Sequence, residues 1–211
     1  MAILTLKEKA YDLLRKSILH GELKPGEFLT ERTLVEKYNM SRTPIRAALG
    51  RLEVEGFVNY TPNKGLIVAE MSIEKAINIY DIRIALESHI TRRLSKRGLT
   101  DSEVERFQVN LAKQKQAMES GNLSEFTIAD YEFHHLLAVI YQNAEVIKVM
   151  DHLHDQLFQI AIKVLLKEKQ RIKVSYNDHL EIYYCIIEER EEEAAQLITQ
   201  HLEFGKTILI S

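Results

Sequence analysis

The distribution of proline is the feature of this chain that most constrains its fold. The three prolines, Pro25, Pro44 and Pro62, all lie in the first third of the 211 residues, and residues 63–211 contain none. Proline interrupts helices because it lacks an N–H group and its ring clashes with the preceding turn. The proline-free segment therefore favours a bundle of long helices, whereas the first third must contain turns. We expect two domains, residues 1–70 and residues 71–211.

Composition sets wider limits on the class of protein. Hydrophobic residues make up 45% of the chain and charged residues 28%, as in ordinary globular proteins. No apolar run approaches the roughly 20 residues of a membrane span, and Lys7 and Glu8 come too early for a secretory signal. The single cysteine, Cys185, cannot form an internal disulfide. We therefore expect a cytoplasmic protein without a membrane partner.

Residues 1–70 have the pattern of a winged helix-turn-helix. Apolar residues recur at helical spacing from Leu6 to Leu19, where a glycine follows. Thr30 is expected to cap a second helix ending at Tyr38, and Ser41 a third that ends before Gly56. Two strands, at residues 57–60 and 66–69, flank a turn at residues 62–65. Two short helices joined by a tight turn and followed by a hairpin are typical of this motif.

The third helix carries the predicted DNA-contacting surface. Arg42 and Arg46 are four residues apart, so they share a face opposite the apolar stripe, and Thr43 lies beside them. The N-terminal part of a recognition helix reaches base edges in the major groove, where arginine pairs bidentately with guanine. Lys64 at the hairpin tip is placed to neutralise a phosphate. Two arginines on a helix face are often merely solvated, but the adjoining turn and wing favour DNA binding.

This region also resembles the GntR superfamily of bacterial regulators. The resemblance is carried by the segments LKPGE at residues 23–27, TER at 30–32, SRTPIR at 41–46 and LEVEG at 52–56. Ala47 and Gly50 depart from the usual pattern, in which a glutamate and a longer polar residue are common. The resemblance, together with the surface described above, implies DNA contacts from Arg32, Ser41, Arg42, Thr43, Arg46, Lys64 and Gly65. Because one winged helix reads only a few base pairs, we expect a homodimer on a near-palindromic double-stranded operator.

The second domain is predicted to be all-helical, so the chain as a whole is mainly α. Glycine, asparagine and small polar residues at the expected ends divide it into six helices. These helices are predicted at residues 73–97, 101–119, 123–141, 144–168, 171–189 and 192–208. Such a bundle buries its apolar stripes and leaves room for a central site.

Four polar residues lie within the apolar stripes of three of these helices. Asp130 and His134 share one face, and His179 and His201 each have apolar neighbours at helical spacing. A lone histidine in such a stripe is more often a hydrogen-bonded core residue than a ligand. Burying four such groups unpaired is costly, however, and one divalent ion satisfies all of them. Three imidazoles and one carboxylate suit Zn²⁺ or Ni²⁺.

The second domain resembles the FCD effector domain of one GntR branch. The resemblance is carried by DYEFH at residues 130–134, by His179 and by His201-Leu202, and it implies metal binding by the same four residues. Six predicted helices place it near the VanR-like subgroup. Arg83 and Glu87 are four apart, so Arg83 either forms an intrahelical ion pair or binds the carboxylate of a small metabolite. Asn143 is more typical of a helix cap, with an effector contact as the alternative.

A small metal-dependent hydrolase is the alternative from another functional class. A site of three histidines and one aspartate with open positions on the metal can activate water. The sequence has no metalloprotease motif, nucleophile elbow or phosphate loop, and a hydrolase leaves the arginine-bearing helix unexplained. The sequence therefore favours a metabolite-responsive regulator of transcription.

Overall fold

The computed structural model describes residues 4–19, 21–62, 65–168 and 170–211. The chain divides into two compact units, Met1–Met71 and Ser72–Ser211. None of the helices in the described ranges combines the length and apolar character that crossing a bilayer requires.

In its described residues, the first unit has three helices and a small sheet. Its elements are α1 (Leu6–Leu19), β1 (Phe28–Leu29), α2 (Glu31–Tyr38), α3 (Arg42–Val54), β2 (Val58–Thr61) and β3 (Gly65–Val68). The apolar stripe of α1 includes Leu14, which is fully buried together with Ile45 and Leu52 of α3. Burying one face of each helix in this way leaves the opposite face of α3 exposed.

The link between α2 and α3 is the turn of the predicted helix-turn-helix. The hydroxyl of Thr30 accepts a hydrogen bond from the Thr33 amide at 3.1 Å, which caps α2 as predicted. Asn39 then adopts a left-handed conformation (φ 49°) and ends the helix. Ser41 occupies the N-cap of α3, but its side chain makes no capping hydrogen bond, so that part of the prediction was wrong. Pro44 lies in the first turn, where no helical N–H is lost.

The wing is a three-stranded antiparallel sheet in the order β1-β3-β2. Val58 pairs with Val68 and Thr61 with Gly65, so the predicted hairpin is present, with each strand displaced by one residue from its predicted bounds. The strand β1 was not predicted, because two residues are too few to show an alternating pattern. Asn63 and Lys64 at the predicted tip lie outside the described residues.

The second unit contains six helices in its described residues. They are α4 (Ile73–Arg97), α5 (Asp101–Ser120), α6 (Leu123–Tyr141), α7 (Ala144–Lys167), α8 (Arg171–Ile187) and α9 (Glu191–Ile210). Their ends agree with the predicted bounds to within two residues. The helix α5 begins with a capping box, in which Thr100 and Glu103 each bond the other's backbone. Residues 188–190 form the turn between α8 and α9, where Glu189 takes a positive φ of 58°.

Helix α6 lies at the centre of the second unit and is apolar on most of its circumference. Phe126, Phe133 and Leu137 are completely buried, and α4, α5, α7 and α8 all pack on this helix. A helix that is apolar all round is expected in the middle of a bundle. Asp130 and His134 lie on buried faces of α6, so their side chains face protein rather than solvent.

Candidate DNA-binding surface and metal site

The exposed face of α3 holds the arginines predicted to contact DNA. Arg42, Thr43 and Arg46 are all exposed, whereas Pro44 and Ile45 between them are buried. Packing of the apolar residues against α1 therefore turns the two arginines outward on one side of the helix. This is the arrangement that a recognition helix needs to reach base edges.

Two of the arginines predicted to contact DNA, Arg46 and Arg32, form ion pairs with carboxylates of the same unit. Arg46 pairs bidentately with Glu31, with Nε–Oε1 and Nη2–Oε2 distances of 2.6 and 3.0 Å. Arg32 on α2 makes a single contact to Glu36, at 3.2 Å. Neither pair was predicted from the sequence, although the four-residue spacing of Arg32 and Glu36 was a usable signal.

The remaining predicted DNA contacts lie beside this surface or outside the described residues. Ser41 is exposed immediately before α3. Gly65 begins β3 with φ 84°, a left-handed backbone conformation that strains any residue with a Cβ. Lys64 lies outside the described residues.

The four predicted metal ligands converge in the second unit. Asp130 and His134 on α6, His179 on α8 and His201 on α9 each direct one ligand atom to a common point, and these atoms lie within 4.8 Å of one another. All four side chains are buried. Three helices that are separate in sequence thus supply one cluster, as the positions in their apolar stripes predicted.

Each imidazole of the cluster is held at Nδ1 by a different partner. The Nδ1 atoms of His134 and His179 lie 2.5 Å from Glu87 Oε2 and 2.8 Å from Gln114 Oε1. Nδ1 of His201 lies 2.8 Å from Asp178 Oδ2. These three oxygens are acceptors, so each Nδ1 carries a hydrogen. In a neutral imidazole this arrangement leaves the lone pair on Nε2, the atom directed at the cluster. Histidines that bind metals in proteins are oriented in this way.

Two buried groups of the cluster lack the partner that burial demands. His134 Nε2 is buried and forms no hydrogen bond within the described chain. Among the same residues, the Asp130 carboxylate forms none either, and its Oδ1 lies 3.9 Å from Nε2 of His179. Leaving such groups unsatisfied is costly, whereas a shared divalent cation removes the cost. The Nε2 atoms of His179 and His201, 3.3 Å apart, have a spacing suited to two ligands of one ion. The residues present therefore fit a divalent metal.

The protonation states of the cluster follow from burial and from the surrounding charges. Burial lowers the pKa of both His179 and His201 well below its ordinary value, so both are neutral, as metal binding requires. Burial raises the pKa of Asp130, although neighbouring cations oppose that shift. Burial also acts to raise the pKa of Glu87, but the charges of Arg83 and His134 outweigh this effect and lower that pKa to about 2. Glu87 is therefore an anion that accepts the His134 hydrogen.

Arg171 was not identified in the sequence analysis and is only 2% exposed. Its Nη1 donates to Asp178 Oδ2 at 3.2 Å, and its Nη2 donates to the backbone oxygen of His201 at 3.0 Å. The guanidinium also stacks on Phe204, 4.7 Å from the ring centroid. Nη2 is also 3.0 Å from His201 Nδ1, but both atoms are donors once Asp178 accepts the imidazole hydrogen. Arg171 thus fixes both Asp178 and the α9 backbone beside the cluster.

Arg83 lines a narrow cavity beside the cluster. Its Nε donates to Glu87 Oε1 at 2.7 Å, so the predicted intrahelical ion pair is present, but it is buried rather than exposed. Its two terminal nitrogens have no hydrogen-bond partner in the described part of the chain. The cavity is also lined by Asp130 and His134, by Tyr80 and Ser175, and by apolar residues of α7.

Asn143 does not line this cavity. Its side chain is exposed and accepts hydrogen bonds from the Glu145 and Val146 amides at 3.0 and 3.2 Å, which caps α7. The cap expected for this residue is therefore present, and an effector contact of Asn143 stays a prediction.

The comparisons with known proteins agree with this architecture. The model of the bacterial regulatory proteins of the gntR family matches residues 6–68, and that of the FCD domain matches residues 78–204. The Nta operon transcriptional regulator of Aminobacter aminovorans is 31% identical over 182 residues, which cover 85% of this chain and 83% of that protein. The transcriptional repressor RspR of Escherichia coli K12 is 26% identical and covers 94% of this chain and 86% of its own.

Solved structures of low sequence identity share the fold. A putative GntR transcriptional regulator from Rhodococcus sp. RHA1 is 20% identical with a TM-score of 0.81, and 97% of each chain is covered. Escherichia coli McbR/YncC is 20% identical with a TM-score of 0.76, covering 99% of this chain and 98% of that one. Because the family models and the curated relatives are regulators of transcription, the hydrolase alternative is wrong. The chain belongs to the GntR family of bacterial regulatory proteins, in the branch with a C-terminal FCD domain, and is a DNA-binding transcriptional regulator rather than an enzyme.

Proposed function

We propose that this regulator senses a small carboxylate metabolite at a metal site in its helical unit, and that the metabolite changes its affinity for an operator. The observation that carries the proposal is the cavity beside the cluster. It is lined by Arg83, whose terminal nitrogens have no hydrogen-bond partner among the described residues, and by the metal-ligand candidates Asp130 and His134. A guanidinium next to a metal site is suited to a carboxylate that bridges the two.

Asp130, His134, His179 and His201 would hold the ion, with Zn²⁺ or Ni²⁺ as the candidates. When bound, the ion supplies a positive charge and open coordination positions for carboxylate oxygens, provided that its coordination exceeds four. The residues around it orient each imidazole through its Nδ1 partner. Six helices in the described part of this unit support placement in the VanR-like subgroup.

The cavity restricts the metabolite to a small molecule. Its free volume of about 20 Å³ corresponds to about one water molecule. The hydroxyls of Tyr80 and Ser175 line it and have no hydrogen-bond partner among the described residues, so they are available to polar atoms of a ligand. A ligand larger than water must displace a wall of the cavity. One wall is α4, which begins two residues after the DNA-binding unit ends, so displacement of this helix can be transmitted along the chain.

The first unit is proposed to bind double-stranded DNA as half of a homodimer on a near-palindromic operator in the cytoplasm. The exposed Arg42, Thr43 and Arg46 support base contacts from α3, and Arg32 lies on the neighbouring α2. Ser41, Lys64 and Gly65 remain proposed contacts. Two relatives, RspR and the gluconate operon repressor of Bacillus subtilis, are repressors, which supports repression as the sign of regulation. Operator and effector affinities are then linked by a coupling of typically 1–3 kcal/mol.

The test is to measure operator affinity while a panel of small carboxylates (acetate, lactate, malate and gluconate) is titrated into metal-loaded protein. Arg83→Lys is the informative variant, because lysine still neutralises buried Glu87 but loses the planar fork of the guanidinium. We expect it to keep its metal and lose the carboxylate response, and His134→Ala to lose both. A His134→Ala protein with full metal content would refute the site, and an unchanged response in Arg83→Lys would refute the carboxylate clamp.

A further inference from the structure

The ion pair between Glu31 and Arg46 connects the start of α2 to the recognition helix. Glu31 follows the capping residue Thr30, which is itself fixed by its bond to Thr33. Its two oxygens bind Nε and Nη2 of Arg46 at 2.6 and 3.0 Å, across a separation of 15 residues. The guanidinium of an exposed arginine is thereby held in one plane. We propose that Glu31 is a positioning residue that determines DNA sequence discrimination through Arg46, an inference that rests on the proposed DNA contact of Arg46.

The number of hydrogen-bond donors on Arg46 allows both interactions at once. A guanidinium has five N–H donors, and the pair with Glu31 uses one on Nε and one on Nη2. Two donors on Nη1 and one on Nη2 remain, and a guanine needs two, for O6 and N7. Glu31 therefore does not compete with a base for Arg46. It occupies the edge of the guanidinium that a base does not need.

The pair also has the geometry of an orienting contact rather than of an incidental surface ion pair. Arg32 and Glu36, one turn apart on α2, make only a single 3.2 Å contact between side chains that are 83% and 66% exposed. Glu31 is 32% exposed and binds both ends of the fork. A bidentate pair fixes the plane of the arginine, which a single contact does not.

Removal of the Glu31 charge is expected to have two effects of opposite sign. A carboxylate at a DNA-facing surface repels phosphates, so its loss strengthens binding to any sequence. Without Glu31, the guanidinium of Arg46 is no longer held in one plane and must become ordered when it binds DNA. This cost weakens the preference for one base pair. The free-energy cost of immobilising one long side chain corresponds to about a 2- to 12-fold change in affinity, which is the loss of discrimination that we expect.

The experiment is selection of binding sites from random-sequence duplexes by the full-length protein, followed by affinity measurements on the selected site and its single-base variants. The variants are Glu31→Gln, Arg46→Ala, the double variant, and Glu53→Gln as the control. Glu53 is exposed on α3 and forms no ion pair among the described residues, so its substitution removes the same charge without touching Arg46. Thermal unfolding of each variant checks that the fold is retained.

We expect Glu31→Gln to lose discrimination at the one base pair of each half-site that Arg46→Ala also affects, and to bind unrelated DNA at least as tightly as the parent. In the Arg46→Ala background it should change that preference no further, and Glu53→Gln should leave the preference unchanged. Full discrimination by Glu31→Gln, or an equal loss at every position, would overturn the proposal for Glu31. If the parent protein enriches no sequence, it is the proposed operator binding itself that fails.

Discussion

Nδ1 of His134 lies 2.5 Å from one oxygen of Glu87, and the other oxygen of that carboxylate lies 2.7 Å from Nε of Arg83. All three side chains are buried. One carboxylate therefore connects a metal-ligand candidate on α6 to the guanidinium proposed to bind the effector on α4. Glu87 would therefore couple the proposed metal to the proposed effector.

The Glu87→Gln variant should bind metal about 10- to 100-fold more weakly. The amide oxygen can still accept the His134 hydrogen, but the negative charge that makes the imidazole a better ligand is lost. Metal affinity is measured by competition with a chromophoric chelator. Glu74→Gln is the matched control, because Glu74 lies exposed in the first turn of the same helix. Equal metal affinity in the two variants would contradict the role assigned to Glu87.

Removal of the proposed metal should destabilise the helical unit. A ligand that binds only the folded state stabilises it by about 4 kcal/mol at a concentration of 1,000 times Kd. Without an ion, His134 Nε2 is buried with no hydrogen-bond partner, and the Asp130 carboxylate forms no hydrogen bond among the described residues. Differential scanning calorimetry with and without Zn²⁺ measures the shift in Tm, and His179→Ala is the control in which added metal should have little effect. The same Tm in both states would argue against a metal site.

The four metal-ligand candidates could be predicted from the sequence because their signal is local. Asp130 and His134 are four residues apart, and each other histidine has apolar neighbours at helical spacing on its own helix. The partners that orient the imidazoles had no such signal. Gln114 lies 65 positions from His179 in sequence, and Asp178 lies 23 from His201. Such pairs form only when the bundle packs, and the periodicity of one helix cannot specify them.

Of the two bonds that Glu87 forms, the sequence could predict the local one but not the long-range one. Its pairing with Arg83 follows from the four-residue spacing and was predicted as one of two alternatives. Its second bond, to His134, spans 47 positions and had no local signal. In the first unit the turn and the hairpin were predictable from capping and turn residues. The two-residue strand β1 was not, since it is specified by pairing with β3 rather than by its own sequence.

Gly50→Ala should stabilise the DNA-binding unit by about 1 kcal/mol. Gly50 lies within α3, and a Cβ at this position would meet nothing within 4 Å, so alanine adds helix propensity without a clash. The free energy of unfolding is obtained from urea denaturation. Gly56→Ala is the opposite case, because Gly56 has φ 79° and alanine is strained there. Destabilisation by Gly50→Ala would mean that glycine is needed in α3 for another reason.

Arg46→Ala should abolish operator discrimination while the protein remains folded. The side chain is 73% exposed, so its removal leaves no cavity, whereas the loss of a bidentate base contact costs about 1–3 kcal/mol of discrimination. Lys64→Ala should instead weaken binding to all sequences and reduce the salt dependence of the affinity. Binding isotherms on specific and unrelated duplexes at several salt concentrations separate the two effects. Equal loss of specificity in both variants would show that the contact surface is assigned wrongly.

Gly205→Ala should destabilise the helical unit through a single contact with Tyr80. A Cβ at Gly205 on α9 would lie 2.5 Å from the hydroxyl oxygen of Tyr80 and 3.1 Å from its Cζ, so either the ring or the helix must move. Overpacking of this kind typically costs about 1–3 kcal/mol. Because Tyr80 also lines the cavity beside the cluster, the same substitution should weaken the response to carboxylates.

The Tyr80→Phe/Gly205→Ala double variant tests whether that contact is the cause. Removing the hydroxyl oxygen relieves the 2.5 Å approach and leaves those of Cζ and Cε1 at 3.1 and 3.4 Å, so the double variant should unfold at a higher urea concentration than Gly205→Ala alone. Tyr80→Phe alone should change stability little, because the hydroxyl has no hydrogen-bond partner among the described residues. The coupling energy of the double-mutant cycle is the decisive quantity. If the two substitutions are additive, Gly205 is required for another contact between α4 and α9, and Tyr80 is not held in the cavity wall by the close approach of these helices.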